Sequence, residues 1–166
     1  MRKWKIKSIM KEIVIGAILL FIFTNIISYI RKPELSSTQL PQLKVQLLDG
    51  NDYSPKKGKA FVVHFWATWC PTCKLEASNI EAISKKYEVL TIAVNSGDNA
   101  KIKAYMDERD LHFRVVNDSE GRWAKQFKVE AYPTTFIYDA RGELKFTEVG
   151  YTSTIGLFAR MKTLGY

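Results

Sequence analysis

The sequence predicts an α/β fold, a mixed central sheet flanked by helices, with a transmembrane helix ahead of it. Three observations lead there. An uncharged apolar run lies near the N-terminus, short apolar runs alternate with amphipathic stretches beyond it, and the two cysteines sit close together where one apolar run ends.

At 166 residues the chain has room for one ordinary domain and a small appendage. An apolar fraction of 46% and an aromatic fraction of 13% suit a packed core rather than a disordered chain. The net charge of +8 invites a nucleic-acid reading, so its location decides. Residues 1–32 hold seven basic side chains and one acid, while the other 134 residues hold 18 basic and 16 acidic groups. The larger part is nearly balanced and carries no basic stripe along its sequence, which argues against nucleic acid as a partner.

From Ile13 to Ile30 the run IVIGAILLFIFTNIISYI has no charge. As a helix it extends about 27 Å, close to the hydrocarbon thickness of a bilayer. A cleaved secretory signal is the rival, but its apolar region is usually about 7–15 residues and ends in a small-x-small site. Here the run is longer and continues into Arg31-Lys32-Pro33-Glu34 without such a site. Five basic residues precede the span and two follow it, which keeps the N-terminus in the cytoplasm and sets the rest outside. The expected order is a cytoplasmic basic segment 1–12, a transmembrane signal anchor 13–30, a linker 31–41 and a globular domain 42–166. In a bacterium the anchor lies in the inner (cytoplasmic) membrane and the domain faces the periplasm or cell exterior, where thiol–disulfide chemistry is common. The stretch PELSSTQLP, Pro33 to Pro41, is polar and bracketed by prolines, and reads as a short semi-extended tether.

In the domain, Leu43 to Leu48 reads as an edge strand turned at Asp49-Gly50. Ala60 to Trp66 is nearly all apolar, as in a strand buried on both faces. A helix follows Cys70 to about Tyr87, with Leu75, Ile80 and Ile83 toward the core. Val89 to Val94 is a second buried strand, and Ala100 to Arg109 a helix with Ile102, Tyr105 and Met106 on one side. A strand at Phe113 to Val116, a brief helix at Gly121 to Phe127, strands at Thr135 to Tyr138 and Leu144 to Val149, and a helix from Ser153 to Leu164 complete the order.

The chemistry points to Trp66-Ala67-Thr68-Trp69-Cys70-Pro71-Thr72-Cys73, between a buried strand and a helix. Two cysteines this close staple almost no chain, so their value is chemical rather than structural. Free N–H groups and the dipole of a helix N-terminus stabilise a thiolate at Cys70, and the thiolate is the nucleophile in disulfide exchange. Cys73, one turn on, can close a ring with it. Pro71 costs nothing in a first turn, and Trp69 shields the site. Two metal readings compete. Half a zinc site needs further ligands, and the remaining soft partners, His64 and His112, lack finger spacing. Two thiolates can hold Cu(I), although a tryptophan beside the first cysteine is unusual for a carrier. A second signal is Pro133, in Ala131-Tyr132-Pro133-Thr134-Thr135 just before a strand.

FWATWCPTC, NSGDN, VVNDSEG, AYPTTFIYD and GYTSTIGLFAR together resemble the TlpA/ResA branch of thioredoxin-like proteins, and more closely the suppressor-for-copper-sensitivity protein D group, over Leu43 to Leu164. The resemblance implies a thioredoxin fold and a redox-active Cys70–Cys73 pair with no other cofactor. It also implies a cis-proline loop at Tyr132-Pro133 whose backbone pairs with substrate, protein thiols and disulfides as substrates, and electrons from a membrane thiol relay. Copper enters through the group name alone. The sequence departs from the pattern where thioredoxins place a buried acid, here His64, and at Ser78, where many members carry a helix-kinking proline. Two readings of His64 follow: a neutral base that takes the proton of Cys73, or a core histidine satisfied by one hydrogen bond. Glu76, three residues after Cys73, reads either as a substitute acid or as a solvated helix residue. Disulfide reductase leads among the functions, with oxidase or isomerase, copper carrier and non-catalytic docking module as alternatives.

Overall fold

A computed structural model of the chain describes residues 2–30, 32–33, 37–56 and 58–164, with the side chains at 2–8, 24 and 27–29 outside the description. It divides into two units, 1–32 and 33–166. The first is one helix, α1 (Arg2–Ile30). Its described apolar side chains, among them Leu20, Phe21 and Phe23, are exposed. Among the described residues no helix is long and apolar enough to cross a membrane, and positions 24 and 27–29 of the expected span lie outside those with described side chains.

The second unit opens with a two-stranded antiparallel ribbon, β1 (Val45–Gln46) and β2 (Asp52–Tyr53), separate from the main sheet. The strand expected over 43–48 is cut short because the chain turns early. The Asp49 carboxylate accepts from Asn51 N–H, Gly50 has a φ of 86°, and Leu47 N–H reaches Asn51 O.

Five strands form the main sheet: β3 (Phe61–Trp66), β4 (Glu88–Val94), β5 (Arg114–Asp118), β6 (Thr134–Tyr138) and β7 (Leu144–Val149), ordered β5-β4-β3-β6-β7. The β3–β4 and β4–β5 pairs are parallel, the β3–β6 and β6–β7 pairs antiparallel. Central β3 is buried at every position, which is why FVVHFW shows no alternation. Between the strands run α2 (Pro71–Ser84), α3 (Asn99–Asp107) and α4 (Arg122–Gln126), with α5 (Thr154–Thr163) last. Val62 and Trp66 pack with Cys73, Ile80 and Ile83 of α2, Ile102 and Met106 of α3, and Leu157 of α5. On the opposite face Val63 and Phe65 pack with Val45, Val116, Phe127 and Phe136. The sheet is therefore mixed and covered on both sides.

Three expectations need correction. Leu75 is 71% exposed, while Ile80 and Ile83 are fully buried. The buried face of α2 carries 73, 76, 77, 80 and 83, and position 75 falls outside that stripe. Glu76 is not solvated; it lies in the stripe and has no exposed surface. Part of the tether is docked rather than free: Leu40 N–H donates to Gly142 O, Leu144 N–H donates to Thr38 O, and Gln39 bridges Glu143.

Candidate active site

β3 ends at Trp66, and the chain turns through Ala67-Thr68-Trp69 into α2. This turn is stapled to the loop after β4. Thr68 N–H donates to Ser96 Oγ at 3.0 Å, and Trp69 Nε1 donates to Asn95 O at 3.1 Å. Cys70 is the N-cap of α2 with an extended backbone, and Pro71 follows in the first turn. In place of the usual oxygen cap, the sulfur of Cys70 accepts the N–H of Cys73 at 3.2 Å. Cys70 and Cys73 are joined as a disulfide, with Cα atoms 5.3 Å apart. When the pair is reduced, the same N–H and the helix dipole favour a thiolate at Cys70.

Tyr132 and Pro133 lie beside the pair. The Tyr132–Pro133 peptide is cis, and the Cys70 sulfur is 3.6 Å from Tyr132 O. The Tyr132 ring meets the Trp69 ring edge-on at 5.8 Å. Trp69 is 55% exposed, whereas Cys70 and Cys73 are 5% and 2% exposed, so the tryptophan forms a rim and the sulfurs its floor.

Two buried ionisable groups lie on the elements that flank the cysteine turn, His64 on β3 and Glu76 on α2. Glu76 is three residues past Cys73, a spacing that puts two Cβ atoms about 5–6 Å apart on one helix face. One carboxyl oxygen accepts Thr152 N–H at 2.9 Å, and the other is buried without a hydrogen-bond partner among the described residues. Burial pushes the Glu76 carboxyl up to about 8, aided by the nearby Glu148 carboxylate and opposed by the Thr152 hydrogen bond. Asn79 braces the same loop, donating to Thr152 O at 2.9 Å and accepting from the Thr154 hydroxyl at 2.7 Å. His64 alternates with Val62 and Trp66 toward the α2 face. Its Nδ1 is 2.9 Å from the hydroxyl oxygen of Thr135, its partner across the β3–β6 ladder. Burial lowers the imidazole to about 3.

The fold therefore brings Trp69, Cys70, Cys73, Tyr132 and Pro133 together at one end of β3, with Glu76 one turn along α2 from Cys73 and His64 two residues before Trp66 in β3. His112 is an exposed loop residue between Glu81 and Asp110, away from this set. Thr135, Thr152 and Asn79 were not singled out by sequence. Thr135 is found only once the ladder register is known, and Thr152 only once the loop after β7 closes over α2. Among the described residues no group of three or more His, Cys, Asp or Glu side chains could hold a metal ion.

A dithiol at a helix N-terminus beside a cis-proline loop can exchange electrons with a disulfide. Comparison with known proteins agrees. Residues 34–147 match the model of the AhpC/TSA family. A thioredoxin-like protein of Haemophilus influenzae is 29% identical over 161 residues, covering 95% of each chain. The thiol-disulfide oxidoreductase ResA of Geobacillus kaustophilus is 30% identical over 139 residues, covering 80% of this chain and 79% of that one. Among solved structures, a thiol:disulfide interchange protein of the thioredoxin family from Chlorobium tepidum superposes with a TM-score of 0.67 at 25% identity, covering 79% of this chain and 98% of the other. The chain thus belongs to the AhpC/TSA family, within its ResA-like thioredoxin-fold branch, and is a thiol-disulfide oxidoreductase built on the Cys70–Cys73 pair.

Proposed function

We propose that this oxidoreductase is an extracytoplasmic reductase of protein disulfides, tethered to the bacterial inner membrane through residues 13–30 with its N-terminus in the cytoplasm. The observation that carries the chemistry is the Cys70 sulfur, capped by a helical N–H and set beside Tyr132 O under an exposed aromatic rim. The uncharged run inside the 29-residue α1 and the excess of basic residues before it support the anchor.

The reaction runs in two exchanges. The Cys70 thiolate attacks one sulfur of a partner disulfide, that S–S bond breaks, and the other partner sulfur leaves as a thiolate. Cys73 then loses its proton and attacks the Cys70 sulfur. The second partner thiolate departs, protons return from the site and solvent, and the Cys70–Cys73 disulfide remains. A membrane thiol relay restores two electrons to the pair. The partner segment lies extended along Tyr132 and Pro133, with Trp69 against it.

Glu76 is the proton acceptor for Cys73. A group at about 8 matches an ordinary thiol near 8.5, so the transfer is nearly level. His64 suits the role poorly. At about 3, charging it at neutral pH costs about 5 kcal/mol, so its burial makes it a neutral packing residue held by Thr135.

Alkylation of the two thiols in growing cells tests the direction of flow. A mostly reduced pair is the expected result, and a mostly oxidised one makes the protein an oxidase. Purified protein that holds Cu(I) tightly yet reduces no disulfide would make it a carrier.

A further inference from the structure

We propose that the end of the domain opposite the cysteines docks on the surface of an anionic lipid bilayer. The proposal rests on the tethered reading above.

Strand register defines the two ends. Trp66, Ala93, Thr134 and Val149 mark the redox end, and Phe61, Glu88, Tyr138 and Leu144 the other. Helix α2 starts at the first end and finishes just before β4 at the second, delivering Lys85 and Lys86 there. Lys44, Lys56 and Lys59 reach the same end from the segments around the β1–β2 ribbon, and with Arg141 they line a cleft of about 650 Å³. All five lysines are exposed. They are scattered along the sequence, which is why no basic run announces them.

Four acids at this end are engaged, whereas Asp107, where α3 ends, is exposed and makes no ion pair among the described residues. Asp139 and Glu143 pair with Arg141 and Lys145. Glu88 accepts from the Tyr53 hydroxyl and from Lys56 N–H. Glu81 accepts from His112 N–H and Phe113 N–H and pairs with Lys85. Among the described residues Lys44, Lys56 and Lys59 make no ion pair, so their ammonium groups stand ready to meet an anionic surface.

The route of the chain indicates what meets this charge. Thr38 and Leu40 bond to the β6–β7 turn at the lysine-rich end. Eight residues lead from Ile30 to Thr38, a reach of at most roughly 29 Å when fully extended. In the tethered reading the tether therefore joins the domain at this end, and not at the end that carries the cysteines. Attraction between lysines and an anionic leaflet acts within a Debye length, about 8 Å at physiological ionic strength, so contact at this end is what it rewards.

The test uses the full chain reconstituted into vesicles of phosphatidylcholine alone or mixed with phosphatidylglycerol, with lysine acylation read by mass spectrometry. Labelling of Lys44, Lys56 and Lys59 should fall about three-fold or more in the anionic vesicles at low salt and recover at high salt. Lys74, beside Cys73, should not change. The double substitution Lys56→Glu with Lys59→Glu should remove the lipid dependence at Lys44. Equal labelling in both vesicle types overturns the proposal, as does equal protection of Lys74 and Lys56, or protection conferred by nucleic acid or an acidic protein in place of lipid. Retention on phosphatidylcholine vesicles through an alkaline wash reports separately on the anchor. Its loss, with lysine protection intact on anionic vesicles, removes the tether and leaves the docking surface.

Discussion

Helix α2 carries two buried acids, and their surroundings differ. Near its C-terminal end, Glu81 sets one carboxyl oxygen against two backbone N–H groups, at 2.8 and 3.2 Å, and the other against the Lys85 ammonium at 3.5 Å. Nearer its N-terminal end, Glu76 receives a single N–H among the described residues and leaves its second oxygen buried without a partner among them. A carboxylate surrounded by donors does structural duty, pinning the loop that feeds β5. One with half its bonds missing titrates near neutral pH, and its ionised fraction lies one turn from a cysteine that must lose a proton. The number of donors around a buried acid, rather than burial alone, separates bracing from proton transfer.

The largest effect that tests this contrast is at the cysteines themselves. Cys70→Ala should abolish disulfide reduction and trap almost no partner. Cys73→Ala should accumulate mixed disulfides, visible on non-reducing gels, because nothing resolves them. Equal trapping by both variants contradicts the assignment of Cys70 as the attacking sulfur.

Next come the two acids. Glu76→Gln keeps the bond to Thr152 and cannot take a proton, so resolution by Cys73 should slow by about 10²-fold near pH 7 and recover as the thiol ionises unaided at higher pH. Stopped-flow resolution of a preformed mixed disulfide measures it. The same variant should change stability in a pH-dependent way. The folded carboxyl lies at about 8 against an ordinary value of 4.5, so unfolding releases a proton between those pH values. The Glu76 contribution to stability therefore falls as pH rises through that window, by on the order of 3 kcal/mol at pH 7, and Glu76→Gln should remove that contribution. Glu81→Ala should do the reverse: redox rates unchanged, and stability lower by about 2–4 kcal/mol because two N–H groups lose their acceptor.

His64 supplies the opposite slope. Its folded value of about 3 lies below the ordinary 6.5, so its contribution is intact above pH 6.5 and is lost as pH falls toward 3. The two slopes cancel between about pH 4.5 and 6.5, where chemical denaturation should show a plateau. His64→Asn should remove the acid-side loss while leaving resolution within a few-fold of the parent at every pH. A strong slowing near pH 7 would return the proton to His64.

Much of this site is legible from short spacings. The apolar run of β3, the cysteine pair where it ends and the proline before β6 are local signals, and local signals place Cys70, Cys73 and Pro133 at one sheet end. The environment of Glu76 is not local. Its only donor among the described residues, Thr152, is 76 positions away, and the β7–α5 loop must fold over α2 before the carboxyl is buried. The docked part of the tether was hidden for the same reason, since Leu40 bonds a turn about a hundred residues further on. The lysine-rich end is invisible to any window, because it forms only when the ends of α2, the ribbon and the β6–β7 turn meet.

The smallest expected effect tests which side of α2 faces inward. Leu75 and Ile80 are both large aliphatic residues on one helix, and by composition either could be core. Ile80 has no exposed surface and packs with Cys73, Ile83 and Leu157, whereas Leu75 is 71% exposed. Removing a buried aliphatic side chain costs its transfer free energy and leaves a cavity, so Ile80→Ala should lower stability by about 2–5 kcal/mol. Removing an exposed one leaves no cavity and trades little surface, and alanine is at least as good a helix former as leucine. Leu75→Ala should therefore stay within about 0.5 kcal/mol of the parent in urea denaturation. A loss comparable to that of Ile80→Ala would mean that the buried stripe of α2 is rotated toward position 75, which would turn Cys73 and Glu76 together out of the stripe.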